Sequence, residues 1–401
     1  MELRKINISD IGKIITGKTP RTSIAENYGG NIPFLTPSDD LSRKHVVKTG
    51  KTLSSIGLEE VKNCLIPEKS ICVSCIGSDL GKVVMTNIPT VTNQQINSII
   101  VREGFDPDFI YYLMIIVGRE LNFMSKTSTA VPIINKSTFS NTEVFVPNLE
   151  NQIRIGKILS SLDDKIELNR QINDNLEQQA QALYKSWFVD FEPFKDGDFV
   201  ESELGLIPEG WKVVELGEVT KQITEKVKNR TDVKVLSPVT TGELVLSEEY
   251  FTKQVFSESI AKYIVVKPLQ FAYNPARVNI GSLGMNTFEF DGCVSPVYVV
   301  FECERDYQYF FDYFRKTEAF KEEVLARAIG GVRQSLSYKD FSLIKLIYPP
   351  RTIVEKFNRL YSNILVSINH NKVEANNLTD MRDTLLPKLM SGELKINDLD
   401  C

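Results

Sequence analysis

The sequence of 401 residues has no long apolar run and almost no histidine. No window approaches the roughly 18 consecutive apolar residues that a membrane-spanning helix needs, and the N-terminal MELRKINISD lacks the apolar centre of a secretion signal. These absences predict a cytoplasmic protein that does not contact a membrane. Histidine occurs only as His45 and His370, so a Ser-His or Cys-His nucleophile pair has few possible members.

Closely spaced cysteines are also scarce. Six cysteines are scattered along the chain, and the one suggestive pair, Cys72 and Cys75, lies in the strand-like run ICVSCIG. No second pair stands at the spacing of a zinc finger. We therefore expect buried, reduced thiols and no metal site.

Motifs of catalysis are missing as well. An amino-methyltransferase needs a run of Asn or Asp, Pro, Pro and an aromatic residue to hold a flipped base. The nearest strings, NPAR at 274–277 and DPDF at 106–109, lack the second proline. Acid pairs such as Asp163 with Asp164 are expected on exposed faces or turns. The sequence therefore predicts a chain without catalytic residues.

One motif points towards an enzyme. The segment GKIITGKT at 12–19 fits the phosphate-binding pattern G-x-x-x-x-G-K-[ST] at every defined position. A phosphate loop needs a helix that opens at its lysine, but Pro20 and two glycines, Gly29 and Gly30, follow without helical apolar spacing. We interpret the segment as a strand end followed by a turn, with a P-loop nucleotide hydrolase as the alternative function.

An internal repeat sets the predicted architecture. The segment that starts at Phe139 aligns without a gap with the segment that starts at Phe341, and this alignment places Asn169 on Asn371. Looser similarities join KINISDIGKIITGK to WKVVELGEVTKQITEK, IPEKSICV to VKPLQFAY, and IGSDLG to IGSLG. Each half is thus predicted to be a divergent globular region followed by a better-preserved helix.

The second copy does not keep the glycines of the phosphate pattern. Gly12 aligns with Thr220, and Gly17 aligns with Glu225. The positions that would hold a phosphate are therefore not part of what the two halves share, which weakens the nucleotide hypothesis.

Both helical segments carry a seven-residue apolar repeat that is typical of a coiled coil. The predicted seam consists of Ile155, Leu159, Leu162, Ile166, Asn169, Leu176 and Leu183 in the first copy, and Phe357, Tyr361, Ile364, Ile368, Asn371, Leu378 and Leu385 in the second. Asparagine at the shared position either fixes register and partner or is merely tolerated near an exposed stretch. About forty residues would form a rod of roughly 60 Å, with the first helix ending before Pro193.

The globular regions read as mixed, strand-rich folds. Short β-branched or aromatic runs such as NIPFLTP, KSICVSCI and KYIVVKP are separated by Gly, Pro, Asn and Ser, and each region has one helix late in its sequence. We predict an α+β protein with an internal pseudo-two-fold repeat. Its segments are a first recognition domain at 1–147, a long helix at 148–193, a second recognition domain at 194–349, and a long helix with a tail at 350–401.

The connecting segments resemble one family. QALYKSWFVDFEPF, LGLIPEGWKVVELGEV and the closing LLPKLMSGEL are similar to segments of the specificity subunits of type I restriction-modification systems, and the early GKTP is also a common string there. The resemblance implies two target-recognition domains joined by two helices that form an antiparallel coiled coil. Each domain would read one half of an asymmetric, bipartite DNA site, and the coiled coil would set the spacer.

The resemblance also implies partners. Two methyltransferase (modification) subunits and restriction or translocase subunits would dock on the helices, in a system that defends against phage. These partners would use S-adenosylmethionine, ATP and Mg²⁺, whereas this chain would bind no cofactor and would contact double-stranded DNA.

Polar side chains beside turn signals are the candidate DNA contacts, since base edges and phosphates require donors and acceptors. In the first domain they are Lys18, Thr19, Arg21, Ser38, Arg43, Lys44, Asn93, Gln94 and Gln95; in the second they are Lys228, Arg230, Asn274, Arg277, Asn279, Arg333 and Gln334. The net charge of −5 is unfavourable for DNA binding. A coiled-coil interaction protein without a DNA role therefore stands as a further alternative.

Overall fold

The computed structural model describes residues 1–46, 48–125, 133–251, 254–327 and 335–394, and the chain forms two compact units. Unit 1 comprises Met1–Ile172 and His370–Cys401, and unit 2 comprises Asn173–Asn369. Each unit holds a strand-rich domain together with segments of two long helices. Because each long helix contributes to both units, the predicted division into four segments is not tested and stays a prediction.

Among its described residues, unit 1 contains ten strands, five α-helices and the end of a sixth α-helix. The strands are β1 Arg4–Asn7, β2 Gly12–Thr16, β3 Tyr28–Leu35, β4 Lys51–Leu53, β5 Leu65–Ile66, β6 Ile71–Ser74, β7 Val83–Met85, β8 Thr90–Thr92, β9 Ile96–Val101 and β10 Glu143–Val146. The helices are α1 Ile8–Ile11, α2 Ser55–Val61, α3 Pro107–Ser125, α4 Lys136–Ser140 and the long α5 Leu149–Phe188, which continues into unit 2. The strands form two four-stranded sheets, β2-β9-β6-β7 and β4-β3-β8-β5, and the pair β1-β10.

Unit 2 repeats this arrangement. Its strands are β11 Phe199–Ser202, β12 Gly205–Pro208, β13 Lys212–Glu215, β14 Thr220–Ile223, β15 Lys234–Pro238, β16 Leu244–Leu246, β17 Ile264–Val266, β18 Phe271–Tyr273, β19 Leu283–Met285, β20 Gly292–Val294, β21 Val299–Cys303 and β22 Lys345–Tyr348. Its helices are α6 Leu216–Val219, α7 Ser247–Tyr250, α8 Gln308–Phe314, α9 Glu318–Arg327, α10 Tyr338–Phe341 and the long α11 Arg351–Ser391, which continues into unit 1.

The strand orders confirm the internal repeat. The sheets β14-β21-β18-β19 and β16-β15-β20-β17 and the pair β13-β22 have the same orders as their counterparts in unit 1. Each unit also has one parallel pair, β3 with β8 and β15 with β20. The α+β architecture predicted from the sequence is therefore present, with the hairpin β11-β12 as an addition in unit 2.

The strands refine one of the looser similarities, that of IGSDLG to IGSLG. By the strands before these segments, β6 and β18, and those after them, β7 and β19, Gly81 corresponds to Gly281. Both of these glycines have a left-handed backbone, with φ of 88° and 95°. The shared requirement is thus a positive φ in the hairpin turn, which favours glycine.

Local sequence explains where the domain helices begin. Asp106 precedes α3, its Oδ1 accepts the N–H of Phe109 at 2.8 Å, and Pro107 supplies the first helical position. The single late helix expected in the second region is two helices, because α8 ends at Phe314 and Thr317 opens α9. The Oγ1 of Thr317 accepts the N–H of Phe320 at 3.3 Å.

The phosphate-loop alternative lacks its structural context. Residues 12–16 form β2, and the next α-helix after Lys18 begins only at Ser55. A side chain at Gly12 would collide with the carbonyl of Ile100, and one at Gly17 would collide with the carbonyl of Thr92. Close strand packing accounts for both glycines, so the interpretation as a strand end and turn is correct.

The long helices run antiparallel within each unit. In unit 1, Asp163 of α5 pairs with Arg382 of α11 at 2.6 Å, and Asn169 donates to Glu374 at 2.8 Å. In unit 2, Asn173 donates to the carbonyl of Ile368 at 3.3 Å. Helix α5 ends at Phe188, one turn before the predicted limit at Pro193.

The predicted seam residues are all buried or half-buried. Those that are buried are Ile155, Leu159, Ile166, Asn169, Phe357, Tyr361 and Ile368, and those that are half-buried are Leu162, Leu176, Leu183, Ile364, Asn371, Leu378 and Leu385. The ends of the helices pack into the domain cores as well, Ile155 and Leu159 in unit 1 and Phe357 and Tyr361 in unit 2. The seam residues at these ends therefore also pack each strand-rich domain against the long helices.

Two further expectations have clear outcomes. Cys72 and Cys75 are buried, as predicted, and burial raises the pKa of Cys72 to about 12. Asp163 was expected on an exposed face and is instead 6% exposed, because Arg382 on the facing helix neutralises it. None of the helices in the described ranges combines the length and apolar character that a bilayer requires.

Candidate nucleic-acid interface

The ends of β2, β3 and β8 meet at one edge of the unit 1 domain. The N–H of Lys18 donates to the carbonyl of Thr92 at 2.9 Å, and the N–H of Asn93 donates to the carbonyl of Leu35 at 3.0 Å. These bonds bring together three loops at 17–23, 36–39 and 93–95, which we call loop edge 1. Strand ends thereby collect polar side chains that are far apart in sequence.

Several predicted contact residues interact directly at loop edge 1. Thr19 Oγ1 donates to Gln94 Oε1 at 2.7 Å, and Asn93 Nδ2 donates to Gln95 Oε1 at 2.9 Å. Asn93 is buried and its Oδ1 also accepts the N–H of Gln95, so it shapes the turn. Lys18 and Gln94 are exposed. Loop edge 1 thus offers ammonium and amide groups to a ligand, the groups that read base edges and phosphates.

Arg21 extends loop edge 1 and is held by an acidic residue. Its guanidinium forms an ion pair with Glu60 of α2, with N–O distances of 2.5 and 2.8 Å. The hydrogen bonds from Arg21 lower the pKa of Glu60 to about 2, so Glu60 is charged at neutral pH. The side chain of Arg21 is 71% exposed and that of Glu60 is 20% exposed.

Two other predicted contacts point towards the long helix. Arg43 pairs with Glu167 of α5 at 3.2 Å. The ammonium of Lys44 is only 7% exposed, pairs with Asp108 at 2.5 Å and donates to Ser160 of α5 at 2.7 Å. These placements favour a structural role for Arg43 and Lys44, because the charge of each is already paired with a carboxylate. Ser38 is exposed at loop edge 1.

In unit 2, the loop after β14 carries Lys228 and Arg230. Lys228 is exposed, has a left-handed backbone with φ of 55°, and donates its N–H to the carbonyl of Ala261 at 2.9 Å. Arg230 pairs with Asp232 at 2.6 Å and with Asp291 at 2.8 Å. A loop arginine held by carboxylates therefore occurs in both units.

Three further candidates, Asn274, Arg277 and Asn279, lie in the connection between β18 and β19. Asn274 Oδ1 accepts the N–H of Ala276 at 3.0 Å, Asn279 is half-buried and Arg277 is exposed. Burial raises the pKa of Tyr298, and Arg277 and Asn274 oppose this shift. Arg333 and Gln334 lie outside the described residues.

Sequence reasoning missed residues of both units that belong to these surfaces. Tyr298 and Val297, which is 70% exposed, lie in the turn between β20 and β21. In unit 1, Glu60 pairs with Arg21, and Tyr28 and Lys51 line a groove together with Thr22. The turn of unit 2 could have been found from the sequence, because it is equivalent in the repeat to residues 93–95 of unit 1. Nothing in the sequence around Glu60 indicates that it contacts Arg21.

Comparisons with known proteins agree on one family. Residues 2–178 match the family described as type I restriction modification DNA specificity domain. The chain is 29% identical to the type I restriction enzyme MjaIX specificity subunit of Methanocaldococcus jannaschii, over 98% of this chain and 93% of that protein. It is 36% identical to the HindI specificity subunit of Haemophilus influenzae over 44% of this chain and 39% of that protein.

A solved structure shows the same fold. The S subunit of a type I restriction-modification system from M. genitalium matches with a TM-score of 0.55 at 16% identity, over 97% of this chain and 96% of that chain.

Proposed function

Because the chain belongs to the family of type I restriction-modification specificity subunits, whose function is DNA target recognition, we propose that its two domains read the two halves of an asymmetric, bipartite site. The observation that carries the proposal is the duplicated strand order of units 1 and 2. Two copies of one scaffold can present two recognition surfaces, as the two subunits of a dimeric reader do.

The two half-sites should differ in sequence, since equivalent turns carry different chemistry. The turn between β8 and β9 has Asn93, Gln94 and Gln95, whereas the turn between β20 and β21 runs Ser-Pro-Val-Tyr at 295–298. Amide side chains pair with adenine edges, and apolar side chains contact the methyl group of thymine. A surface of amides and a surface with an exposed valine therefore favour different bases.

The long helices are proposed to set the spacer between the half-sites. Helices α5 and α11 contain 40 and 41 residues, and each contributes a segment to both units. Helix length is fixed at about 1.5 Å per residue. A pair of such helices can therefore hold a constant number of unread base pairs between the bases that are read.

The helices also offer surface for partner subunits. Val366, Val373 and Met381 of α11 are 69%, 60% and 51% exposed, and Leu168 of α5 is 48% exposed. Apolar side chains exposed along a helix are candidates for contacts with another protein. We propose that two methyltransferase subunits and the restriction or translocase subunits dock here. They would supply S-adenosylmethionine, ATP and Mg²⁺ chemistry, while this chain acts as the non-catalytic reader.

The test is to co-express the chain with its methyltransferase subunit and map methylated adenines across the host genome. Methylation confined to one gapped, asymmetric motif is expected. A complex that forms but methylates without a motif would refute base reading by this chain. The duplication supplies an internal control: substitutions at 93–95 should alter one half of the motif, and substitutions at 295–298 should alter the other.

A further inference from the structure

An open groove lies beside loop edge 1, between the loop at 20–23 and the hairpin of β3 and β4. Its volume is about 350 Å³, and it is lined by Thr22, Tyr28, Gly29, Gly50, Lys51 and Thr52. The groove opens at a β-bulge, since Leu53 of β4 faces both Tyr28 and Ile32 of β3. The bulge pushes the backbone outwards and leaves space at the edge of the sheet.

The lining of the groove suits a phosphodiester. Thr22 and Thr52 carry hydroxyl groups, and the ammonium of Lys51 lies 5.9 Å from the ring centre of Tyr28. Gly29 has a φ of 84° and nothing within 4 Å of the position of a Cβ, so its backbone is accessible. Hydroxyls, backbone amides and ammonium groups are groups that proteins place on DNA phosphates, although the N–H of Gly50 is already taken by the carboxylate of Asp39 at 2.6 Å.

Arg21 precedes Thr22 of the groove. Hydrogen bonds fix its backbone, while its guanidinium contacts a carboxylate that a phosphate could replace. Asn27 Nδ2 donates to the carbonyl of Arg21 at 3.0 Å, and Tyr28 Oη donates to the carbonyl of Pro20 at 2.9 Å. These bonds hold the loop, whereas the guanidinium is largely exposed and contacts Glu60. A phosphate in the groove would compete with that carboxylate for the same planar donor.

We propose that this groove binds a phosphate of the DNA backbone, and that the phosphate takes the Arg21 guanidinium from Glu60. The inference rests on the proposed DNA recognition. It adds a binding site for a backbone phosphate and a carboxylate, Glu60, that limits how strongly the chain binds DNA. Displaced from Arg21, Glu60 stays charged close to the DNA, so it weakens sequence-independent binding. Unit 2 has a related arrangement of charges, since Asp232 and Asp291 hold Arg230.

The experiment uses the complex of the full chain with its methyltransferase subunit. It measures how the Kd of this complex for a fluorescently labelled DNA duplex of mixed sequence depends on the salt concentration. The variants are Arg21→Gln, Lys51→Gln and Glu60→Gln. Glu59→Gln is the matched control, because Glu59 lies on the same helix, carries the same charge and pairs with Lys62 at 3.2 Å. Melting temperatures of all variants are measured alongside and should differ only slightly from that of the wild type, since an ion pair as exposed as that of Arg21 with Glu60 contributes little to stability.

Arg21→Gln and Lys51→Gln should each reduce the slope of log K against log salt by about 0.9, the value for one lost phosphate contact. Glu60→Gln should bind up to about fivefold tighter than Glu59→Gln, the range expected for an exposed ion pair. An unchanged slope in Arg21→Gln, or equal affinities of the two glutamate variants, would overturn the inference. If the wild-type complex does not bind the duplex, the proposed function itself fails.

Discussion

Replacing Arg382 by methionine should destabilise unit 1 far more than an ordinary surface change. Asp163 is 6% exposed and receives two hydrogen bonds of 2.6 Å, one from Arg382 and one from the hydroxyl of Tyr112. Burial and the Asp163 carboxylate raise the pKa of Tyr112, so its hydroxyl stays protonated and keeps donating. Loss of Arg382 leaves a buried carboxylate with a single neutral partner.

Breaking a buried ion pair on one side costs about 3 to 5 kcal/mol. The side chain of Arg382 is 20% exposed, so water can reach part of the site and we expect about 3 kcal/mol, the lower end. The free energy of unfolding is measured by urea denaturation of the full chain, with the transition of unit 1 followed separately from that of unit 2. Arg119→Met is the matched control. It removes an exposed pair with Asp383 at 3.2 Å and should cost under about 1 kcal/mol.

A second variant separates charge burial from packing. In Asp163→Leu/Arg382→Met, neither charge remains, and part of the lost stability should return because apolar replacement of a buried pair is often neutral. The Tyr112 hydroxyl then loses its acceptor, which retains a cost of about 1 to 3 kcal/mol. Equal destabilisation by Arg382→Met and Arg119→Met would refute this reasoning.

Other side chains allow equally direct tests. Lys18→Ala should leave ATP binding as in the wild type, because no helix opens at Lys18, and filter binding with labelled ATP would show a loss if the phosphate-loop reading were right. Arg21→Gln should return the pKa of Glu60 from about 2 towards 4.5; the pair contributes stability above pH 4.5 that is lost as pH falls towards 2, and carboxyl NMR titration measures the shift. Asn169→Leu should change the stability of unit 1 by less than about 1 kcal/mol, because it removes a buried Oδ1 without a hydrogen-bond partner among the described residues but also the bond from Nδ2 to Glu374; a larger change in urea denaturation would contradict this.

The repeated architecture was predictable because its signals are periodic. Heptad spacing identified the long helices, and the gapless alignment of Phe139 with Phe341 revealed two copies of one fold. Such patterns survive divergence, since each apolar position must stay apolar to be buried. Register across the divergent loops was less predictable, and the similarity of IGSDLG to IGSLG did not show that Gly81 corresponds to Gly281.

The partners of charged side chains were not predictable from the sequence. Lys44 and Arg43 stand beside turn residues, as Lys18 does, yet both bind carboxylates, and one of these is on α5 more than a hundred residues away. The residues around Asp163 in the sequence are typical of a solvent-exposed helix position. Its burial is possible because Arg382 of the other long helix pairs with it. Whether a charge is exposed depends on contacts between distant segments, which local patterns do not encode.

The Asp163–Arg382 pair also has a consequence for how the helices choose their partners. In the repeat, Asp163 corresponds to Leu365 and Arg382 corresponds to Ala180, which is fully buried in unit 2. If α5 paired with α5 of a second copy, Asp163 would face Ala180 and lose its cation. A buried unpaired carboxylate costs about as much as the broken pair, so the ion pair favours pairing of α5 with α11 in the same chain. Asp163→Leu/Arg382→Met removes this penalty while keeping the seam apolar, and its dimer fraction at equal concentration should therefore exceed that of the wild type.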